Sequence, residues 1–334
     1  MPNPTIVFLT DRGERHQQHA LRYAPPELDV IMLRTPPPEV LFPALEKASF
    51  LISERNQPVT AEMIAAAPNL RGIVRLGSLL YDIDTAAAER AGVRVAALPI
   101  QGVIFCAEHA LLLILALCRR LGRSLVAAVV ADHGIAPRRT DEDTFAFNWL
   151  NYSDLTGIRG KVVGIVGMGE IGVELARRLK GFAPRQILYT KRTPYPAAVD
   201  QDLGITFAPL EPCVSEADIL VSLLPYSAET DYRNGGGIGA AQIGRMKQES
   251  IMVVIGSGSV VDERAVAKAL REGRLAGAAF DTYEYEPLTA ENPLIALARD
   301  TTTNVLLTPH TAAASASADR SGDYAPILAW LREG

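Results

Sequence analysis

Short apolar runs alternate along this chain with longer stretches of helical composition. Thr5–Leu9 (TIVFL), Phe50–Ser53, Leu70–Leu76 (LRGIVRL) and Val93–Ala97 (VRVAA) each read as strands. They are β-branched or apolar and are punctuated by Pro, Gly or Asn. Helical segments fall between them, around Glu39–Lys47, Ala61–Ala66 and Asp84–Ala91. A second series begins at Lys161. Its strands are expected at Val162–Val166, Gln186–Thr190, Asp218–Leu224, Ser250–Ile255, Leu275–Asp281 and Asn304–Leu307, with helices over Gly172–Lys180 and Asp262–Glu272. Such alternation specifies parallel sheets with helices on both faces. Between the two series lies Cys106–Leu121 (CAEHALLLILALCRRL), which is apolar on nearly every face. It reads as a buried linking helix, with Arg119 and Arg120 at the negative end of its dipole. Ala131–Thr156 is mixed and rich in Pro and Asp, and reads as a connecting or interaction segment.

Composition narrows the classes of function. A chain of 334 residues suits about two domains. Lys plus Arg number 33 against 38 Asp plus Glu, a formal net charge of −5. With no basic run, nucleic acid is not an expected partner. Cys106, Cys118 and Cys213 are too few and too scattered for a disulfide framework, and no metal-ligand spacing is present. The N-terminal Met-Pro-Asn-Pro-Thr carries no cationic region, and the apolar run Ala110–Cys118 falls short of the ~20 residues of a spanning helix. The expectation is a reduced, cytoplasmic protein without a membrane partner.

The sharpest chemical signal is GKVVGIVGMGEIG at 160–172. Gly167-Met168-Gly169-Glu170-Ile171-Gly172 follows a strand and opens a helix, the context that turns a glycine pattern into a dinucleotide-binding fingerprint. The first glycine makes the tight turn, the second admits a pyrophosphate and the third lets helix pack on strand. The next strand ends about 20 residues on, where an acid would take the ribose hydroxyls of NAD. Here it ends in Lys191-Arg192-Thr193. A cationic pair beside a hydroxyl suits a 2′-phosphate, so NADP(H) is expected as the preferred cofactor, with NAD(H) the alternative.

Several further segments make the chain similar to the D-isomer-specific 2-hydroxyacid dehydrogenase family, from about Leu70 to the end. They are LRGIVRLGSLLYDID, CAEHALLLILALCRR, LLPYSAET, SGSVVDERAVAKAL, FDTYEYEPL and NVLLTPHTA, together with the glycine fingerprint. The resemblance implies an α/β protein of two Rossmann-like, doubly wound parallel-sheet domains with a cleft between them. Residues 1–103 and 308–334 would form a discontinuous, flavodoxin-like substrate domain. Residues 104–307 would form the cofactor domain, including the linking helix and a dimerisation segment, and the protein would be a homodimer. The reaction implied is hydride transfer between a nicotinamide and a small carbonyl or hydroxy acid. His310, in Pro309-His310, falls at the family's general acid/base, and Glu286, in Glu286-Pro287, at its carboxylate partner. Leu224, Pro225 and Thr230 would line the cofactor, Ile255 and Gly256 would lie near the nicotinamide ribose, and Asp281 would hold the nicotinamide carboxamide. His109 reads as structural, and His16, His19 and His133 as surface positions.

The departures from the family pattern fall on substrate recognition. The family's substrate arginine would stand at Ser257, in Ser257-Gly258-Ser259 before Val260-Val261-Asp262-Glu263. Its Gly-Val-Gly loop becomes Gly77-Ser78-Leu79, and an asparagine-type position becomes Gly102. Ser78 and Leu79 remain the expected substrate loop, and Arg75 is the nearest candidate for a substitute cation. The leading expectation is therefore an NADPH-dependent reductase of altered substrate scope acting through His310, Glu286 and the Ser257 turn. An ordinary 2-keto acid reductase with a substitute cation and an inactive NADPH-binding protein are the alternatives.

Overall fold

The computed structural model describes residues 3–54, 57–130, 134–143, 148–314 and 319–333. The chain divides into two compact units, residues 1–104 with 315–334 and residues 105–314. His133 lies outside the described residues, as do parts of the 131–156 segment.

The first unit is built on five strands: β1 (Thr5–Thr10), β2 (Asp29–Arg34), β3 (Phe50–Glu54), β4 (Gly72–Leu76) and β5 (Arg94–Leu98). They pair in the order β2-β1-β3-β4-β5, every pair parallel. Central strands β3 and β4 are buried at every position, as a sheet covered on both faces requires. One face packs Leu41, Leu45, Met63 and Ile73. The other packs Phe8, Phe50, Tyr324 and Ile327, so the C-terminal helix Ala325–Arg332 belongs to this unit's core.

The second unit carries seven parallel strands: β6 (Val162–Val166), β7 (Gln186–Thr190), β8 (Thr206–Phe207), β9 (Ile219–Ser222), β10 (Ser250–Val254), β11 (Leu275–Phe280) and β12 (Val305–Leu307). Their order is β12-β11-β10-β9-β6-β7-β8. The order reverses at β6, where the chain moves first to β7 on one side and then to β9 on the other. Such a switch point leaves a crevice at the carboxyl ends of the strands, where ligands bind in open α/β sheets.

The linking helix begins five residues earlier than its sequence suggests and ends sooner, at Gln101–Cys118. Arg120 adopts a left-handed φ of 46°, which breaks the helix before a second one, Leu121–Val130. By length and composition Gln101–Cys118 could cross a membrane, alone among the helices of the described residues. Here Ala107, Ala110 and Ile114 have no exposed surface, and Asn304 Nδ2 donates to the Leu117 carbonyl at 3.0 Å. It is thus a core helix of the second unit.

The sequence expectation ended the cofactor domain at residue 307, whereas the compact unit runs to Ala314. The reason is local. Thr308 N donates to Phe280 O at 2.9 Å, and Thr311 N and Ala312 N donate to the Asp281 carboxylate at 2.9 Å each. The segment bearing His310 is therefore held by the β11 end.

Candidate active site

The three fingerprint glycines occupy three different environments. Gly167 sits at φ +95°, and a Cβ there would stand 2.7 Å from Leu224 N. Gly172 lies under Met168, whose Sδ would be 2.7 Å from an added Cβ, with Ile165 of β6 behind it. Gly169 is the N-cap of the helix Glu170–Lys180, and a Cβ added to it would meet nothing within 4 Å. A tight turn, an open cradle and a close helix–strand contact therefore follow one another along the chain. The helix begins at Glu170, so its first-turn N–H groups have no carbonyl one turn back and face that cradle. Glu170 and Ile171 are half-buried in this turn, and Met168 is buried. The residues present fit the pyrophosphate of a dinucleotide.

Two neighbouring strand ends complete the cradle. A Cβ on Gly256 would stand 2.5 Å from Leu224 O, so glycines flank the Leu224 backbone from both sides. Leu224 is half-buried and Pro225 exposed. Thr230 Oγ1 donates to Pro225 O at 2.8 Å and accepts from Ser227 N at 2.7 Å, which closes this loop on itself. Ile255 is buried beneath it.

The loop after β7 is tied to the fingerprint. Gly167 N and Met168 N both donate to Thr190 O, at 3.0 and 3.2 Å. Lys191 is half-buried, whereas Arg192 and Thr193 are exposed. Buried Tyr189 donates to Asp200 Oδ1 at 2.8 Å. Burial first, and then the Asp200 carboxylate, push its phenol up to about 12, so it stays a donor throughout the working pH range.

His310 has a left-handed φ of 53° and an exposed ring. Its Nδ1 lies 2.7 Å from Glu286 Oε2. An ionised carboxylate only accepts, so in that pairing Nδ1 is the donor and Nε2 is left for another partner. The other Glu286 oxygen accepts from Tyr283 N at 2.9 Å. Glu284 N donates to Glu263 Oε1 at 2.8 Å, and Asn292 Nδ2 bonds the other Glu263 oxygen. Burial holds the Glu263 carboxyl above its ordinary range. Tyr283 stacks on Phe280, and its hydroxyl faces Phe280 O and Thr308 O at 3.0 and 2.9 Å. The loop carrying Glu286 and the loop carrying His310 are thus stapled together by groups that sequence reasoning did not single out.

Asp281, which the resemblance assigns to the nicotinamide carboxamide, is occupied within the chain. Its side chain has no exposed surface. Oδ1 accepts from Thr308 Oγ1 at 2.6 Å and Thr311 N at 2.9 Å, and Oδ2 accepts from Ala312 N. His109, from the linking helix, reaches Thr308 Oγ1 at 3.1 Å and lies 3.5 Å from Asp281 Oδ1. Asp281 therefore fixes the turn around His310.

This chain belongs to the D-isomer-specific 2-hydroxyacid dehydrogenase family. The model of that family's NAD-binding domain matches residues 124–312, more than half of the chain. A glyoxylate reductase of Korarchaeum cryptofilum is 34% identical over 294 residues, covering 86% of this chain and 81% of that protein. A glyoxylate reductase of Thermococcus kodakarensis is 35% identical over 282 residues, with 84% and 78% covered. The crystal structure of a glyoxylate reductase from Paecilomyes thermophila shares the fold, with a TM-score of 0.54 at 22% identity over 99% of this chain and 95% of that one. The 2-hydroxyacid dehydrogenase is accordingly an NAD(P)-dependent oxidoreductase acting on CH–OH or C=O groups.

In this dehydrogenase the turn at Ser257 is fixed by its backbone. Ser257 N donates to Leu224 O at 2.8 Å, and Gly258 packs directly against the Tyr283 backbone, where no Cβ would fit. Asp262 caps the following helix by accepting from Ala265 N at 3.0 Å. In the first unit, Ser78 and Leu79 are buried at the end of β4. Arg75 is buried as well. Its Nε lies 2.9 Å from Asp82 Oδ2, and its Nη1 donates to Leu76 O. The candidate substitute cation is thus already neutralised by a carboxylate of its own unit.

Proposed function

We propose that this dehydrogenase uses NADPH to reduce a carbonyl compound less anionic than the small 2-keto acids, with His310 as the general acid. The observation that carries the reading is the His310–Glu286 pair beside an intact cofactor cradle, with serine at 257 and Arg75 held by Asp82. The cofactor, when bound, supplies the hydride. The chain's own residues do the rest. Glu286 orients the imidazole and stabilises its charged form, and Nε2 delivers a proton to the carbonyl oxygen. Gly169 and the helix start behind it would hold the pyrophosphate, and Lys191 with Arg192 would take a 2′-phosphate. A serine hydroxyl at 257 offers one hydrogen bond where an arginine would offer a fork and a charge. A charged hydrogen bond contributes about 1.5–3 kcal/mol, so its loss lowers preference for a carboxylate about tenfold to a hundredfold.

A second reading is favoured by the relatives, which are named glyoxylate reductases. It keeps 2-keto acids as substrates and requires a cation other than Arg75. NADPH oxidation measured with 2-keto acids paired against their methyl esters separates the two. The proposal expects the ester to match or exceed the acid in kcat/KM, with NADH the poorer reductant. An acid preferred by tenfold or more establishes the second reading instead.

The helix Leu121–Val130 supports a homodimer. None of its residues is buried, and Leu125 and Val129 are 59% and 79% exposed. With Leu121 they form an i, i+4, i+8 stripe of the kind a second copy covers. Light scattering is expected to show a dimer for the wild type and a monomer for Leu125→Lys/Val129→Asp. A wild-type monomer at micromolar concentration would remove this part of the proposal.

A further inference from the structure

We propose that Tyr195 is the positioning residue that sets this enzyme's preference for a 2′-phosphorylated nucleotide, by seating Lys191. The inference rests on the NADPH reading above and adds to it the device that makes a flexible lysine selective.

The Lys191 ammonium stands 3.4 Å from the centroid of the Tyr195 ring, within cation–π range. The ring itself is fixed. Tyr195 is buried, and its hydroxyl donates to Met168 O at 3.1 Å, inside the glycine fingerprint. Its backbone N–H donates to the Tyr189 phenol at 2.9 Å, and that phenol donates onward to Asp200. Tyr189 is held in turn by the edge of Phe207 on β8, with ring centroids 5.6 Å apart. On the other side of Lys191, Thr190 O accepts both Gly167 N and Met168 N. The basic loop is therefore anchored to the pyrophosphate loop at both of its ends.

The physical consequence concerns entropy and direction. A lysine side chain loses rotamer freedom when immobilised. Where an aromatic face already holds the ammonium, part of that loss precedes ligand binding, and the cation stands in register with the cradle. Arg192 and Thr193 are exposed and lack such a seat. Selectivity for the phosphate should consequently depend on a ring that need not touch the ligand.

The test is isothermal titration of 2′,5′-ADP and of 5′-AMP, ligands that differ by the 2′-phosphate and need no turnover. The wild type is expected to bind 2′,5′-ADP about tenfold or more tightly than 5′-AMP. Tyr195→Leu should lose most of that advantage, weakening 2′,5′-ADP about fivefold to tenfold and leaving 5′-AMP within twofold. Tyr195→Phe keeps the ring and should keep the selectivity. Lys191→Met serves as the reference for a lost cation. If Lys191→Met loses the discrimination while Tyr195→Leu keeps it, the NADPH reading stands and the role of Tyr195 is overturned. If Tyr195→Leu weakens both ligands equally, the ring merely supports the loop and the inference fails. A wild type that does not distinguish the two ligands would overturn the NADPH reading and this inference with it.

Discussion

Replacing His310 by glutamine is expected to lower kcat by about 10²–10⁴-fold, the range that a positioned general acid contributes. Nucleotide affinity should remain at the wild-type value. Glutamine keeps the length of the side chain and can still hydrogen-bond Glu286, but it has no titratable proton for the carbonyl oxygen. Glu286→Gln is expected to lower kcat by a smaller factor, because the imidazole stays in place while its charged form loses the carboxylate 2.7 Å away. The double variant should be no slower than His310→Gln alone, since the two side chains act as one unit. Steady-state rates together with fluorescence titration of NADPH would check all three. A His310→Gln enzyme with unchanged kcat would show that the acid is another group.

The second unit was more legible in the sequence than the first, and the reasons are physical. Strands β6 and β7 are buried, β-branched or apolar runs ending at glycines or charges, and they stand at the positions their sequence implies, Val162–Val166 and Gln186–Thr190. The edge strand β2 and the helix Glu14–Arg22 were missed. The first is only half-buried along its length, and the second reads ERHQQHALR, with Ala20 its one buried residue. The helix has too few apolar residues to announce a buried face, whereas β2 carries an apolar run, Val30–Leu33, that could have been read. The β8 strand has two residues and carries no pattern at all.

The candidate site divides in the same way. Glycine roles follow from backbone chemistry and could be read from spacing. Side chains that act at a distance in sequence could not. Tyr195 reaches back 27 residues to Met168, and Asp281 reaches forward 30 and 31 residues to Thr311 and Ala312. Arg75 shows the limit in the other direction. Its position beside the Gly77 turn suggested a substrate cation, and only the folded contact with Asp82, seven residues on, shows where its charge is spent.

Asp281→Asn is expected to be the most damaging single change outside the proposed acid/base pair. The native carboxylate accepts three hydrogen bonds, from Thr308 Oγ1, Thr311 N and Ala312 N, and is wholly buried. Asparagine can accept through one oxygen only. Its amide NH₂ must then face a backbone N–H or the threonine hydroxyl. A buried group left without its partner costs about 1–3 kcal/mol, so urea denaturation should show a stability loss of that size. The catalytic effect should follow from the turn. His310 lies in the left-handed region, a conformation that a non-glycine residue holds only when its surroundings impose it. With Thr311 and Ala312 released, the imidazole should lose its alignment with Glu286, and kcat is expected to fall about 10-fold to 100-fold. The same variant decides between the two roles considered for this carboxylate. If it holds the His310 turn, the affinities for NADPH and for 2′,5′-ADP should both stay near the wild-type values. If it instead binds the nicotinamide carboxamide, NADPH should weaken while 2′,5′-ADP, which lacks the nicotinamide, should not. The buried carboxylate and its three donors favour the first result, in which Asp281 acts on the proposed acid only through the turn that carries it.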